Sequence, residues 1–305
     1  RSEQWEENII DWTTFYRRNL HRFVQHYFQI ELHWYQVIWL YFMGICDTFV
    51  TIASRASAKS WLIAILALTR AVLYPNSEIV VVATTMKQAK VILGKIGSLK
   101  LDYPNIAREI ESYVDSKETK YTMHNGSTIT VVSCSESARG ARSTFTIAEE
   151  FRIMVKSKYD SIVKPFAIIR PVPYLKLAQY KDIEILKEEP KEIMISSAYY
   201  KSEWWYQTTV DTIKAMMKGK NAGFIAFDYL VAIKHNIKSK ALIEKEKEAM
   251  DSITFQQEYL NIPFGGSSDA FFQLNLFKKV QNSKKAFYPQ RNDNYNPKVN
   301  LYCPK

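Results

Sequence analysis

The 305-residue chain is long enough to bury a substantial core, as one large domain or two modest ones. Apolar residues make up 47% and charged residues 24%, with only 9 Gly and 10 Pro, which excludes a disordered or fibrous polymer. The balance of 41 Lys+Arg against 31 Asp+Glu, a formal net charge of +10, favours a polyanionic partner, nucleic acid foremost.

Cys46, Cys134 and Cys303 are far apart and odd in number, so neither a disulfide framework nor a zinc site is indicated and a reducing compartment is the simpler inference. The longest apolar stretches, 37–46 and 61–74, fall short of the ~20 residues that span a bilayer, and Arg70 interrupts the second, so no membrane partner is expected. No signal peptide opens the chain, and Arg1 in the place of Met points to a trimmed start.

From residue 2 to about 27, aromatic residues and Leu recur at helical spacing among charges, which predicts an amphipathic helix or helix pair whose aromatics serve packing. A helix over 33–44 leads into the β-branched run 48–53, a buried strand. After a loop over 54–58 comes a helix over 59–73, apolar nearly all round and therefore expected against a sheet. A strand over 78–83 and a helix over 86–96 continue the alternation, which implies a parallel sheet. Strands over 120–123 and 127–132, joined through Asn125-Gly126, read as a hairpin that interrupts it. Further strands over 144–148, 192–197 and 223–227, each followed by a helix, and a short helix over 251–260 complete the reading. Periodicity disappears after Pro263, so 264–305 is expected to be a run-out rather than a second domain.

Ala53-Ser54-Arg55-Ala56-Ser57-Ala58-Lys59-Ser60 has the spacing of a phosphate-binding loop, with alanines where glycines are usual. Placed between a buried strand and a helix, it can aim backbone N–H groups at phosphates. Lys59 would then neutralise charge and the Ser60 hydroxyl would ligate Mg²⁺. The strand over 144–148 ends in Glu149 and Glu150; in an ATPase the first acid holds Mg²⁺ and the second orients or deprotonates the attacking water. Paired acids also start a following helix favourably, which is the plainer reading of the pair alone. Arg139 and Arg142, just upstream, could meet a phosphate or a DNA backbone, or pair locally with a carboxylate.

In this order the motifs resemble those of viral large terminase subunits of the tailed-bacteriophage type, over about 32–263. Trp34-Tyr35-Gln36 is similar to the family's adenine-recognition segment, where Gln both donates and accepts. Lys59 and Ser60 match the phosphate loop, which in the family often departs from the glycine pattern and carries an upstream arginine like Arg55. The segment 80–89 resembles the one that follows the second strand. Asn125-Gly126 and Arg139-Gly140-Ala141-Arg142 resemble the hairpin and the Arg-Gly element before the acidic strand. Ser196-Ser197 resembles the coupling motif that senses γ-phosphate. One departure is Glu149, where most relatives have Asp.

The resemblance implies a P-loop NTPase (RecA/ASCE-like) α/β core with a mainly parallel sheet and a small subdomain. Its divisions would be an N-terminal helical segment (1–31), the ATPase domain (32–263) and a linker (264–305) towards a nuclease domain that the chain lacks. It implies ATP and Mg²⁺ as cofactors, bound by Tyr35, Gln36 and the loop 53–60, with Ser60 and Glu149 on the metal and Glu150 activating water. Arg55, Arg139 and Arg142 are the candidate arginine fingers, from within the subunit or from a neighbour. Double-stranded DNA, a homo-oligomeric ring on a capsid portal, a small terminase subunit and the host cytoplasm follow as partners and location. Lysines over 214–220 and 234–247 are candidate DNA contacts, although charged helices usually present a solvated face. The alternatives are the ATPase lobe of a superfamily-2-like helicase, which needs a second motor lobe, and a nucleic-acid-binding scaffold with a degenerate nucleotide site.

Overall fold

In the computed structural model, residues 2–116, 119–169, 173–183, 186–187 and 189–265 are described. Phe264 and Gly265 aside, the segment expected to run out towards a further domain lies outside them, as does Cys303.

The strands are β1 (Thr48–Ala53), β2 (Glu78–Ala83), β3 (Ile110–Val114), β4 (Lys120–Met123), β5 (Thr128–Ser133), β6 (Phe145–Glu149), β7 (Lys191–Ser196) and β8 (Ala222–Phe227). They form one sheet in the order β3-β4-β5-β2-β6-β7-β1-β8. From β5 to β8 all neighbours are parallel; only β3–β4 and β4–β5 are antiparallel. The expected parallel sheet with an intruding hairpin is therefore present. The hairpin turn is closed by the Gly126 N–H donating to the Met123 carbonyl at 3.0 Å, and Gly126 takes a φ of +82°, where a Cβ would lie 2.4 Å from Asn76 Oδ1.

The helices are α1 (Ser2–Arg18), α2 (Leu20–His26), α3 (Trp34–Ile45), α4 (Lys59–Leu73), α5 (Met86–Asp102), α6 (Pro104–Glu109), the single turn α7 (Lys156–Lys158), α8 (Trp204–Met217), α9 (Leu230–Lys234), α10 (Lys240–Ala249) and α11 (Ser252–Glu258). The α4 residues from Leu62 to Ala71 are all buried, as their all-round apolar character required. Thr85 caps α5 by accepting from the Gln88 N–H. That helix runs past the expected end at 96 because Leu99 continues its buried face. Strand β3 had no clear sequence signal, since four of its five residues are exposed. After β6 the chain makes short 3-10 and π turns instead of the expected regular helix.

Strand alternation divides the core between the two sheet faces. Ile79, Val81, Ile129, Val131, Phe145, Ile147 and Ile193 pack with α3, α4 and α5 on one side, joined by Leu20, Phe23 and Val24 of α2. Val50, Ile52, Val80, Val82, Ala148 and Met194 pack on the other against Phe151, Tyr159, Phe166 and Trp205. The aromatics of the N-terminal helices are thus only partly packing residues, since Trp5, Trp12 and Phe15 of α1 stay exposed. Ile243, Phe255 and Tyr259 form a third, small cluster with Tyr229, Ile233, Met250 and Leu260, which unites α9, α10 and α11.

Candidate active site: a phosphate loop facing a pair of glutamates

Strand β1 ends at Ala53, and the chain turns into α4 through two residues with positive φ, Ala56 at 65° and Ala58 at 60°. These are backbone shapes that glycine adopts freely and alanine does not, so the loop holds strain where glycine would relieve it. No side chain caps α4, whose N-cap is Ala58, so its first turn presents backbone N–H groups to an incoming anion. Neighbouring segments fix the loop. The Ser54 N–H donates to the Phe227 carbonyl at 2.9 Å and the Arg55 N–H to the Glu258 carbonyl at 2.8 Å. The Tyr35 hydroxyl donates to the Ser57 carbonyl at 3.2 Å.

Lys59 Nζ donates to the carbonyls of Ala53 at 2.8 Å and Ser54 at 3.3 Å, and lies 3.7 Å from Glu150 Oε1. Burial pushes the Lys59 pKa down, and the glutamates around it oppose that shift. The Ser60 hydroxyl donates to Glu149 Oε1 at 2.7 Å. Burial raises the Glu149 pKa, and the hydrogen bond from Ser60 works against it. The longer side chain of Glu, compared with Asp, therefore still reaches the serine directly. An octahedral Mg²⁺ at ~2.0–2.1 Å from each oxygen sets adjacent ligands about 2.9 Å apart, so these two oxygens suit one such ion. Among the described residues no cluster of three or more His, Cys, Asp or Glu could hold a metal by itself.

Glu150 takes a left-handed φ of 53° just past the end of β6, with its N–H donating to the Ile195 carbonyl at 2.7 Å. This is a strained shape for a non-glycine residue and it re-aims the second carboxylate. Glu150 Oε2 accepts from Ser196 Oγ at 3.1 Å and from Arg152 Nε at 3.1 Å. Ser197 Oγ donates instead to Glu258 Oε2 at 3.0 Å. Both serines of the expected coupling motif thus meet the site because β7 lies between β1 and β6 in the sheet.

Gln36 is buried in α3, and its Oε1 accepts from the His33 N–H at 2.9 Å. Tyr35 lies beside Phe227 and His235, at ring distances of 5.5 and 5.4 Å, and burial pushes its hydroxyl pKa up to about 12. Of the candidate fingers, Arg55 is held by Glu258 at 3.1 Å. Arg139 and Arg142 are not brought to the loop. They are exposed, Arg139 paired with Glu136 and Arg142 donating to the Ala141 carbonyl, on a cleft of about 660 Å³ shared with Lys120 and Thr130. Sequence reasoning assigned no role to Arg152 or to Glu258, which are brought to the site only by the fold.

A strand order in which β7 separates the phosphate-loop strand from the acidic strand, joined to this loop, defines a RecA-like P-loop fold. Residues 41–173, which include the loop, both glutamates, Arg139 and Arg142, match the family model described as terminase large subunit, ATPase domain. The chain shares its fold with the large terminase ATPase domain of Thermus phage P74-26, at 14% identity and a TM-score of 0.57 over 80% of this chain and 98% of that one. It is likewise similar to the large terminase of bacteriophage HK97, at 15% identity and a TM-score of 0.59 over 81% of this chain and 55% of that one. A third is the large terminase of thermophilic bacteriophage D6E in complex with ADP, at 12% identity and a TM-score of 0.53 over 77% of this chain and 54% of that one. The chain thus spans about half the length of the HK97 and D6E proteins. No curated protein is similar in sequence. The resemblance to large-terminase ATPase domains holds in both sequence and fold.

Proposed function

We propose that this chain hydrolyses ATP with Mg²⁺ and is the DNA-packaging motor domain of a viral large terminase. The observation that carries the reading is the double junction between loop and acidic strand: Lys59 beside Glu150, and Ser60 on Glu149. Two segments about ninety residues apart thereby supply the cation, the hydroxyl and the two carboxylates that phosphoryl transfer to water requires. The D6E large terminase binds ADP and ATP-γ-S, which supports a nucleotide in the same place here.

In this mechanism the backbone N–H groups of 54–60 and the start of α4 cradle the phosphates, and Lys59 exchanges its carbonyl acceptors for phosphate oxygens. Tyr35 and Gln36 hold the adenine. Ser60 and Glu149 hold Mg²⁺, which when bound neutralises charge on the phosphate oxygens. Glu150 orients a water and accepts its proton as the water oxygen bonds to the γ-phosphorus and the bond to the β-phosphate breaks. Ser196, on the same carboxylate, senses the change. Arg55 serves within the subunit. Arg139 and Arg142, which line a separate cleft, serve a neighbour's nucleotide in a ring on the portal. Double-stranded DNA held through its phosphates, a small terminase subunit and the host cytoplasm complete the setting.

The test is ATP turnover by the chain beside Lys59→Ala and Glu150→Ala, with nucleotide binding in parallel and double-stranded DNA present or absent. Glu150→Ala should retain binding and lose on the order of 10²–10⁴ in rate, the usual size of general-base catalysis. Lys59→Ala should weaken binding as well. Failure of the unaltered chain to bind nucleotide would refute the assignment.

A further inference from the structure

Glu258, the last residue of α11, is one member of a buried chain of charges that ends on Glu150. Arg152 donates from Nε to Glu150 Oε2 at 3.1 Å, from Nη1 to the Ala198 carbonyl at 2.6 Å and from Nη2 to Glu258 Oε1 at 2.5 Å. Glu258 Oε2 in turn accepts from Arg55 Nε at 3.1 Å and Ser197 Oγ at 3.0 Å. The side chains of Arg152 and Glu258 are each only 11% exposed. Ion pairs at the surface contribute little, whereas a shielded guanidinium fork held at three points fixes the group it grips.

We propose that Arg152 and Glu258 are positioning residues for ATP hydrolysis: Glu258 holds the Arg152 guanidinium, and Arg152 holds the Glu150 carboxylate in line for the attacking water. This rests on the ATPase reading above. The requirement arises from Glu150 itself. Its carboxylate has Lys59 3.7 Å away on one oxygen, and a bound nucleotide draws that cation to phosphate. What remains on Glu150 is Ser196 and Arg152 on the other oxygen. Of these, Arg152 is the one that reaches beyond the sheet. Its orientation is set by Glu258, whose place is fixed in two ways: its backbone carbonyl receives the Arg55 N–H, and the next residue, Tyr259, bonds through its hydroxyl to Glu246 and Lys238. The geometry of the water-activating carboxylate is therefore set partly by the small helical cluster of α10 and α11, which meets the phosphate loop at Arg55.

A purely structural ion-pair cluster would affect melting and leave turnover alone, so the test separates kcat from binding. The unaltered chain, Glu258→Gln, Arg152→Gln and the double variant are compared for ATP turnover, ATP-γ-S affinity by calorimetry and thermal melting. Each single change should lower kcat on the order of tenfold to a hundredfold, the usual cost of a misplaced catalytic group, while affinity stays within a few-fold. Arg55→Gln removes the other arginine on Glu258 and measures what Glu258 does through the loop; beyond that share the double variant should be no worse than Arg152→Gln, because Glu258 acts on Glu150 through Arg152. If Glu258→Gln does not fold, Arg152→Lys carries the same test: it keeps the charge, loses the fork, and should also lower kcat. A folded Glu258→Gln with unaltered kcat, or losses that multiply in the double variant beyond the share that Arg55→Gln measures, would overturn the proposal. An unaltered chain without turnover would overturn the ATPase reading and this assignment together.

Discussion

Replacing Ala58 by glycine should stabilise this protein, against the usual effect of Ala→Gly at a helix. Ala58 is the N-cap of α4 at φ 60°, ψ 31°. For an L-residue that conformation costs about 1–2 kcal/mol relative to the right-handed region, and glycine escapes it. Against this, glycine adds unfolded-state freedom worth about 0.4–1 kcal/mol. The difference leaves a net gain of roughly 0.5–1 kcal/mol, reinforced by the preference of N-cap positions for Gly over Ala. In a domain of this size that corresponds to a rise in Tm of about 1–4 °C. Urea denaturation with linear extrapolation measures it, with Ala67→Gly inside α4 as the control that should lose at least about 1 kcal/mol. Ala56→Gly, at φ 65°, should behave like Ala58→Gly, and nucleotide affinity should not fall in either. If Ala58→Gly destabilises as much as Ala67→Gly, the left-handed loop and the strain assigned to it are wrong.

Glu149 titrates in the opposite sense to Glu258. Burial raises the Glu149 pKa, so the folded state binds that proton more tightly. Its contribution to stability is complete below the ordinary carboxylate range and is lost as pH rises through the raised pKa. Glu149→Gln, which still accepts from Ser60, should therefore gain stability relative to the unaltered chain as pH rises from about 4 to 7; denaturation midpoints across that range check it, and a constant difference would refute it. For Glu258, burial alone would raise the pKa, but Arg152 and Arg55 overcome it and hold the carboxyl below its usual range. Its stabilisation is present above the ordinary carboxylate pKa and lost as pH falls through the depressed one, so Glu258→Gln should lose most at neutral pH. Gly126→Ala should cost about 2 kcal/mol or more, from the left-handed φ and the clash with Asn76 Oδ1, read as a lower denaturation midpoint.

The sequence alone determined what depends on neighbours along the chain. The buried strand before a Lys-Ser loop, the all-apolar helix over 59–73, the Asn-Gly hairpin and the acidic end of β6 are short-range patterns of hydrophobicity and backbone preference, and each stands where it was expected. The order of those motifs was enough to suggest the family. β3, with a mostly exposed surface, and the extension of α5 to 102 gave no such local signal, because one pairs at a sheet edge and the other follows a tertiary contact. What only the tertiary structure decided is which side chains meet. Ser196 and Ser197 reach the site because the sheet inserts β7 between β1 and β6, and the two serines then part, one to Glu150 and one to Glu258. Arg139 and Arg142, close to the acidic strand in sequence, lie on another cleft, whereas Glu258, 106 residues beyond Arg152, touches it. Hydrophobic periodicity fixes which face of an element is buried. It carries no information about which buried charge will find its counter-charge across the fold, since that pairing depends on strand order and on where a distant helix ends.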